Sequence, residues 1–225
     1  MSRLGLVTIG QSPRVDMVPE LLAPLGIGAG SVVERGALDG MSAAQIAALA
    51  PAEGAEQVLT TRLADGVAVL LDHDAAIAAV QGAVAAVEPG VDATLVVCTG
   101  TFPPLSHDRP LLFAEPLLLG GVAALCAGEP VGVVCPLPAQ VSMSHRKWAP
   151  VVGAVTVTAA TPYAPGAPAT VAAAAARLAA DGARRIVLDC MGYTAAMRAA
   201  ATEAAGVPVL LARSVVARLA GELVA

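Results

Sequence analysis

Short apolar runs, rich in valine, isoleucine and leucine, recur along the chain and are separated by longer segments that include polar residues. An apolar run of about four to eight residues that ends at glycine or a polar residue indicates a strand buried on both faces of a parallel sheet. The pattern predicts strands at residues 4–9, 31–37, 93–98, 131–136, 151–158, 185–190 and 208–211. It predicts helices at residues 12–25, 42–51, 75–87, 110–126, 139–148, 169–180 and 194–204, with a last helix from Ser214. Alternating strands and helices predict an α/β protein with mostly parallel sheets.

One segment departs from this alternation. Residues 58–63 and 67–71 are strand-like runs that flank the tripeptide Ala64-Asp65-Gly66. A three-residue loop that contains Asp-Gly between such runs favours an antiparallel hairpin. We therefore predict a β-hairpin inserted into the first half of the chain.

A shorter pattern occurs twice: an apolar run, a cysteine and, two residues later, a glycine. The copies are Leu95-Val96-Val97-Cys98-Thr99-Gly100 and Ile186-Val187-Leu188-Asp189-Cys190-Met191-Gly192. Open α/β proteins bind ligands at the carboxyl edge of the sheet, where both cysteines are predicted to lie. We therefore predict two similar lobes, each with one thiol at a shared cleft. The first lobe covers residues 1–117, completed by residues 211–225, and the second covers residues 118–210.

The loop after the first predicted strand carries polar residues that suit an anion. Ser12 followed by Pro13 predicts a helix N-cap with proline at the first helical position, and Asp16 would lie in the first turn. A strand, a turn and a helix N-terminus in this order form a natural anion site. Gln11, Ser12 and Arg14 are therefore candidate ligands. The alternative is that Gln11 and Ser12 only cap the helix and Arg14 is a solvated charge.

Composition narrows the classes of function. Hydrophobic residues make up 56% of the 225 residues, and the mean hydropathy is +0.73. No uninterrupted apolar run reaches the roughly 18 to 20 residues of a transmembrane helix, so no membrane association is expected. The net charge is −5, Lys147 is the only lysine and aromatic residues are 2%, so no nucleic-acid partner is expected. The apolar stretch at the amino terminus is too short for a signal-peptide core, and we expect a cytoplasmic protein.

Cofactor motifs are not evident in the sequence. The four cysteines form no C-x-x-C pair, and the three histidines are scattered, so neither a disulfide framework nor a metal site is predicted. The chain has no G-x-G-x-x-G after a strand and no Walker lysine. We therefore expect no metal, no nucleotide and no pyridoxal phosphate.

Five stretches of the chain carry a family resemblance. They are Leu6-Val7-Thr8-Ile9-Gly10-Gln11-Ser12-Pro13-Arg14, Gly36-Ala37-Leu38-Asp39-Gly40, Leu59-Thr60-Thr61-Arg62-Leu63, Leu188-Asp189-Cys190-Met191-Gly192-Tyr193, and Pro208-Val209-Leu210-Leu211 with the closing helix. These stretches resemble the AroM family, within the aspartate/glutamate/hydantoin racemase superfamily, and the resemblance spans nearly the whole chain. It implies two Rossmann-like or flavodoxin-like lobes related by a pseudo-twofold axis, with one active-site cysteine from each. It also implies racemisation or epimerisation without a cofactor, and Cys98 and Cys190 match the two cysteine positions.

Inverting an α-carbon by proton transfer needs a base on one face of the carbon and an acid on the other. A thiolate and a thiol can fill these roles if N–H groups favour the thiolate. We expect such groups from Thr99, Gly100 and Thr101 beside Cys98, and from Met191, Gly192 and Tyr193 beside Cys190. Gln11, Ser12 and Arg14 are the candidates for binding the substrate carboxylate and the developing enolate.

The remaining polar and sulfur-containing residues receive structural interpretations. Cys126 and Cys135 are interpreted as small buried hydrophobic residues. Asp189 should point to the face opposite Cys190, where it could orient a loop or pair with Arg184 or Arg185. His107 and His145 are interpreted as surface residues.

The predicted function is that of an isomerase: a racemase or epimerase, independent of pyridoxal phosphate, acting on a small carboxylate, amino acid or hydantoin. One alternative is another thiol-dependent enzyme, a decarboxylase or a cis–trans isomerase of a small diacid. A second alternative is a non-catalytic metabolite-binding AroM protein. The expected partner is a small anionic substrate, and assembly into a homo-oligomer is left open.

Overall fold

The structure is a computed structural model that describes residues 3–55 and 57–224. Its strands are β1 (Leu4–Thr8), β2 (Val32–Gly36), β3 (Val58–Arg62), β4 (Ala68–Asp72), β5 (Ala93–Val96), β6 (Leu111–Phe113), β7 (Val131–Cys135), β8 (Val155–Ala159), β9 (Arg185–Leu188) and β10 (Val209–Leu211). Its α-helices are α1 (Val18–Leu25), α2 (Ala43–Ala47), α3 (His73–Val87), α4 (Ala114–Cys126), α5 (Val141–Val152), α6 (Ala167–Ala180), α7 (Ala195–Ala205) and α8 (Ala212–Gly221).

The chain divides into two compact units. The first runs to Glu115 and is completed by the residues from Ala217 onward, and the second is Pro116–Val216. The first unit contains a four-stranded parallel sheet in the order β2-β1-β5-β6. The second contains a four-stranded parallel sheet that reads β8-β7-β9-β10 from one edge. Both orders are 2-1-3-4 when the strands are numbered within their own sheet, and the predicted α/β class with parallel sheets is confirmed.

The central strands are buried, as their continuous apolar sequences require. Every residue of β1, β5 and β7 is buried. In the second unit, alanines on α6 let this helix approach the sheet closely. A Cβ added to Gly132 of β7 would lie 2.9 Å from the Leu178 Cβ and 3.1 Å from the Ala183 Cβ, so this contact requires glycine.

The predicted hairpin is confirmed. Strands β3 and β4 pair antiparallel, with Val58 opposite Asp72 and Arg62 opposite Ala68. One side of the hairpin packs on the core of the first unit through Leu59 and Leu71. The short helix predicted over residues 42–51 precedes the hairpin in the chain and corresponds to α2. It begins at a Ser42 capping box with Gln45.

The predicted start of the first helix is wrong. Helix α1 begins at Val18, and Ser12 does not cap it, because the Ser12 N–H and hydroxyl both bind the Asp39 carboxylate instead. Asp16 accordingly lies before the helix rather than in its first turn, whereas the predicted anion binding by Gln11, Ser12 and Arg14 stays a prediction. The predicted end of the helix is confirmed, since Gly26 adopts a left-handed conformation with φ of 73°.

Other boundaries also differ from the predictions, two of them in ways that change the neighbouring element. The segment predicted as one helix over residues 110–126 begins with β6, which pairs with β5 through Thr94 and Leu111, and becomes helical only at Ala114. Helix α5 continues through Pro150 to Val152, so the next strand begins at Val155 rather than at residue 151. A proline in the last turn removes one hydrogen bond, and Gly153, at φ of 75°, is where the helix ends.

Among the helices of residues 3–55 and 57–224, none combines the length and the apolar character needed to cross a membrane.

Candidate active site

Each of the two cysteine loops follows the third strand, in sequence order, of its parallel sheet. Cys98 lies two residues beyond β5, and Cys190 lies two residues beyond β9. The Gly100 N–H donates to the Cys98 sulfur at 3.4 Å, and the Gly192 N–H donates to the Cys190 sulfur at 3.3 Å. A hydrogen bond from a backbone N–H favours the thiolate form of cysteine. The two loops therefore present their sulfur atoms in the same local way.

Both glycines lie close to a neighbouring side chain that an added Cβ would displace. A Cβ added to Gly100 would lie 2.8 Å from the Leu59 Cδ2 and 3.4 Å from the Cys98 sulfur. A Cβ added to Gly192 would lie 2.5 Å from the hydroxyl oxygen of Tyr163. Tyr163, in the loop after β8, is thus a neighbour of the Cys190 loop that the sequence analysis did not include in the site.

Side chains from one face of α3, and from the residue that follows this helix, bind backbone groups of the loop that contains Cys98. His73 Nε2 lies 2.7 Å from the Thr101 carbonyl, and since a carbonyl only accepts, this nitrogen carries the proton. The Gln81 side chain donates to the Ser106 carbonyl and accepts from the Ser106 N–H. Further along the same loop, the N–H groups of Asp108 and Arg109 both donate to the Glu88 carboxylate.

The side chain of Thr101 adds a further link within the first unit. Its hydroxyl donates to the Glu115 carboxylate, which is buried at the start of α4. Thr99, in the same loop, is also buried. Glu115 was missed by sequence reasoning, although its position directly after an edge strand is a signal that could have identified it once β6 was recognised.

Gln11 and Ser12 hold neighbouring loops together. Gln11 donates to the Leu38 carbonyl at 3.4 Å and accepts from the Ala64 N–H at 2.9 Å. The Asp39 carboxylate accepts from the Ser12 N–H at 2.8 Å and from the Ser12 hydroxyl at 2.5 Å. It also accepts from the Gly36 N–H at 2.7 Å. Asp39 therefore fixes the loop after β1, and the ligand roles of Gln11 and Ser12 stay predictions.

Arg14 is buried, with 5% of its surface exposed, and is engaged by an acidic residue. Its Nε and Nη2 atoms donate to the two Asp16 oxygens at 2.8 and 2.9 Å, and its Nη1 donates to the Thr8 hydroxyl at 3.0 Å. The Glu34 carboxylate accepts from the Arg14 N–H at 2.6 Å. A bidentate pair of this kind fixes the guanidinium. The predicted role of Arg14 as a substrate ligand is not tested by this geometry.

Asp16 is ionised in the folded protein. Burial raises the pKa of Asp16, but the hydrogen bonds and the charge of Arg14, with a smaller contribution from Arg62, outweigh it and hold the pKa below its usual value. The pair therefore stabilises the fold at neutral pH and loses this contribution when the carboxylate is protonated.

We expect Asp16→Asn to lower the free energy of unfolding by about 1 to 3 kcal/mol at neutral pH, because it removes a charged acceptor. The pair contributes fully above the unfolded pKa of about 3.9, and its contribution falls as the pH drops through the lower folded-state pKa. The difference between wild type and variant should therefore shrink in acid, as measured by urea unfolding at several pH values. Asp181→Asn, at an exposed position after α6, is the control. A difference that stays constant into acid would contradict this account.

In the second unit, two of the predicted ligands have buried side chains. The Tyr193 hydroxyl donates to the Ala160 carbonyl at 2.6 Å. Burial, reinforced by the nearby Cys190 and Cys135, raises the pKa of Tyr193 well above 10.0, so its phenol stays protonated. Met191 is also buried. Within this group, the Gly192 N–H reaches the Cys190 sulfur.

The predicted pairing of Asp189 with Arg184 or Arg185 is wrong. The Asp189 carboxylate accepts from the Trp148 indole N–H at 2.7 Å and pairs with the Lys147 ammonium at 2.6 Å. Arg185 pairs with Glu129 instead, at 2.8 Å. The Asp189 side chain is only 1% exposed, so it pairs with a cation that packs against it inside the protein. That cation is Lys147 of α5.

The interpretation of Cys126 and Cys135 as buried residues is confirmed, because each is 1% exposed. Burial raises the pKa of the Cys135 thiol to about 11, and burial also raises the pKa of Cys126. Both thiols are therefore protonated at neutral pH.

His107 and His145 are exposed, as predicted, and His107 Nδ1 lies 2.9 Å from the Arg109 carbonyl. Within the described residues, no group of three or more His, Cys, Asp or Glu side chains could hold a metal ion.

Solved structures similar to this chain include racemases and a decarboxylase. Similar ones include allantoin racemase from Klebsiella pneumoniae, with a TM-score of 0.61 and 16% identity over 99% of this chain and 87% of that one. Glutamate racemase from Bacillus anthracis gives a TM-score of 0.63 and 13% identity over 99% of this chain and 81% of that one. Unliganded arylmalonate decarboxylase gives a TM-score of 0.57 and 14% identity over 99% of this chain and 92% of that one. At these identities the likeness shows the fold alone.

The family is established by sequence. The model of the AroM protein family matches residues 4–224, and the chain belongs to that family. A comparison with curated protein sequences gives no match.

Proposed function

We propose that this AroM protein is a racemase or epimerase that inverts the α-carbon of a small carboxylate, amino acid or hydantoin. Cys98 and Cys190 are its two acid–base groups. The observation that carries the proposal is the repeated local geometry, in which a thiol beyond the third strand of a 2-1-3-4 sheet accepts an N–H from the glycine two residues later. The fold shared with racemases of allantoin and glutamate supports the same class of reaction.

In the proposed reaction, one cysteine as thiolate removes the α-proton, and the electron pair of the broken C–H bond moves into the adjacent carbonyl to give an enolate. The other cysteine, as thiol, then donates its proton to the opposite face of the carbon, and the enolate returns to the carbonyl. The two sulfurs exchange their protonation states, so the reverse direction uses the same groups. Because the thiols supply both proton transfers, the reaction proceeds without a cofactor.

Backbone N–H groups of the two cysteine loops and the polar side chains after β1 are the proposed ligands for the substrate carboxylate and the enolate. Preorganised donors of this kind stabilise developing negative charge. They are Gln11, Ser12, Arg14, Thr99, Gly100, Thr101, Met191, Gly192 and Tyr193. The proposed substrate is therefore small and anionic.

The test is α-proton exchange in D2O, followed by NMR, over a panel of amino acids, hydantoins, 2-hydroxy acids and dicarboxylic acids. Exchange with inversion of both enantiomers of one compound supports the proposal. Release of carbon dioxide from a malonate-type compound, or cis–trans conversion of a diacid, would replace it by the corresponding thiol chemistry. A compound that raises the melting temperature but undergoes none of these reactions would indicate a binding protein. Cys126→Ala, which alters a buried cysteine on α4, is the matched control.

A further inference from the structure

Arg213 holds one backbone carbonyl in the Cys190 loop. It is the second residue of α8, directly after β10, and is only 1% exposed. Its Nε and Nη2 atoms both donate to the Met191 carbonyl, at 3.1 and 2.7 Å. A guanidinium keeps its positive charge in proteins, and its planar fork fixes the orientation of the group that it binds. The Met191 carbonyl is therefore held by a buried cation.

The same peptide group reaches the Cys190 sulfur at its other end. The Met191 carbonyl and the Gly192 N–H belong to one planar trans peptide, so they point in opposite directions. The N–H donates to the Cys190 sulfur at 3.3 Å. The peptide between residues 191 and 192 thus has the guanidinium at its oxygen and the sulfur at its N–H. A hydrogen bond to the carbonyl polarises a peptide and strengthens its N–H as a donor.

We propose that Arg213 is a positioning residue that stabilises the thiolate of Cys190 through the Met191–Gly192 peptide. It holds the N–H on the sulfur and places a positive charge on the far side of the same dipole. Its effect on turnover rests on the proposed function, since that function makes Cys190 an acid–base group. Its effect on the thiol does not, because thiolate reactivity is measurable without a substrate.

The other ionisable groups that the structure places near this loop belong to elements other than α8, which carries Arg213. Asp189, at the end of β9, is matched by Lys147 of α5. Tyr193 in the loop itself and Cys135 at the end of β7 are held protonated by burial, and Tyr163 approaches from the loop after β8. A comparison of Arg213 variants therefore isolates the contribution of the guanidinium.

The experiment measures the rate of Cys190 alkylation by iodoacetamide as a function of pH, with the modified residue assigned by peptide mass spectrometry. Arg213→Met should lower the rate at neutral pH about tenfold, the change that corresponds to one pKa unit. The midpoint of the rate profile should move to higher pH, while the rate in strong base, where every thiol is ionised, should match wild type. Arg213→Lys, which keeps the charge but loses the fork, should fall between wild type and the methionine variant.

The matched control is Arg198→Gln. Arg198 lies on the neighbouring α7 and donates to the Ser214 hydroxyl at 3.5 Å, next to Arg213 in the chain, so its loss should leave the alkylation profile unchanged. Melting curves identify variants that do not fold. If Arg213→Met is one of them, Arg213→Lys alone decides, and a wild-type profile in that variant overturns the proposal.

Two further results would overturn it. One is a folded Arg213→Met protein with the wild-type midpoint. The other is a rate lowered equally at every pH, which would mean that Arg213 controls access to the sulfur rather than its ionisation. Failure of the proposed function is distinguishable, because a wild type that exchanges no α-proton in any panel compound leaves the alkylation comparison intact.

Discussion

Cys190→Ser should lower the rate of racemisation about 10³-fold in both directions, within the range that a positioned acid–base group contributes. Serine is close to cysteine in size but is not ionised at neutral pH, so it can accept the Gly192 N–H without becoming a base. The same loss is expected for Cys98→Ser, because inversion requires both groups. Racemisation of the panel substrate, followed by circular dichroism, measures the effect.

Cys126→Ala serves as the control for this result, because its thiol is buried on α4 and has a raised pKa. This control should keep the rate of the wild type. A Cys190→Ser protein that racemises at the wild-type rate would exclude a proton-transfer role for that thiol, whatever the substrate.

Lys147→Met should lower the free energy of unfolding by about 3 kcal/mol, because it leaves the buried Asp189 carboxylate without its cation. The side chain of Asp189 is 1% exposed and that of Lys147 is 14% exposed, so water can replace the lost partner only poorly. Trp148 would remain as a neutral donor. Urea unfolding at neutral pH measures the loss.

Arg185→Met provides the matched comparison for the lysine variant. It breaks the pair with Glu129, whose two side chains are 31% and 44% exposed, so a change of about 1 kcal/mol or less is expected. Replacing both members of the buried pair, as Lys147→Met with Asp189→Leu, should recover part of the lost stability, since no charge is then left unpaired. Equal losses in the lysine and arginine variants would contradict the idea that burial makes the Lys147–Asp189 pair strong.

Much of the architecture follows from local patterns in the sequence. Continuous apolar runs identify the strands of both sheets except β6, which was predicted as part of a helix, and the Asp-Gly loop at residues 64–66 identifies the hairpin. The repeated cysteine–x–glycine pattern places Gly100 and Gly192 beside their sulfurs, because an N–H two residues beyond a thiol can turn back onto it within one loop. These features depend on neighbours in the chain, which sequence reasoning can see.

The features that were missed depend on partners far away in sequence. Serine is a common helix N-cap residue, but the Ser12 hydroxyl donates to the carboxylate of Asp39, 27 residues later. Asp189 has two arginines close by in sequence, yet its cation comes from α5. Arg213 reaches back 22 residues to the Met191 carbonyl. In each case a buried or half-buried polar group binds the partner that packing supplies, and no local pattern identifies that partner.

The most direct test of two-thiol proton transfer is the enantiomer preference of α-deuterium incorporation in the two serine variants. Wild type, Cys98→Ser and Cys190→Ser would each be incubated in D2O with either enantiomer of the panel substrate, and the label counted after chiral separation. The account predicts mirror-image results: each variant labels only the enantiomer whose α-proton faces its remaining cysteine, while wild type labels both. If the two variants label the same enantiomer, or if one of them labels both as wild type does, Cys98 and Cys190 do not act on opposite faces of one carbon.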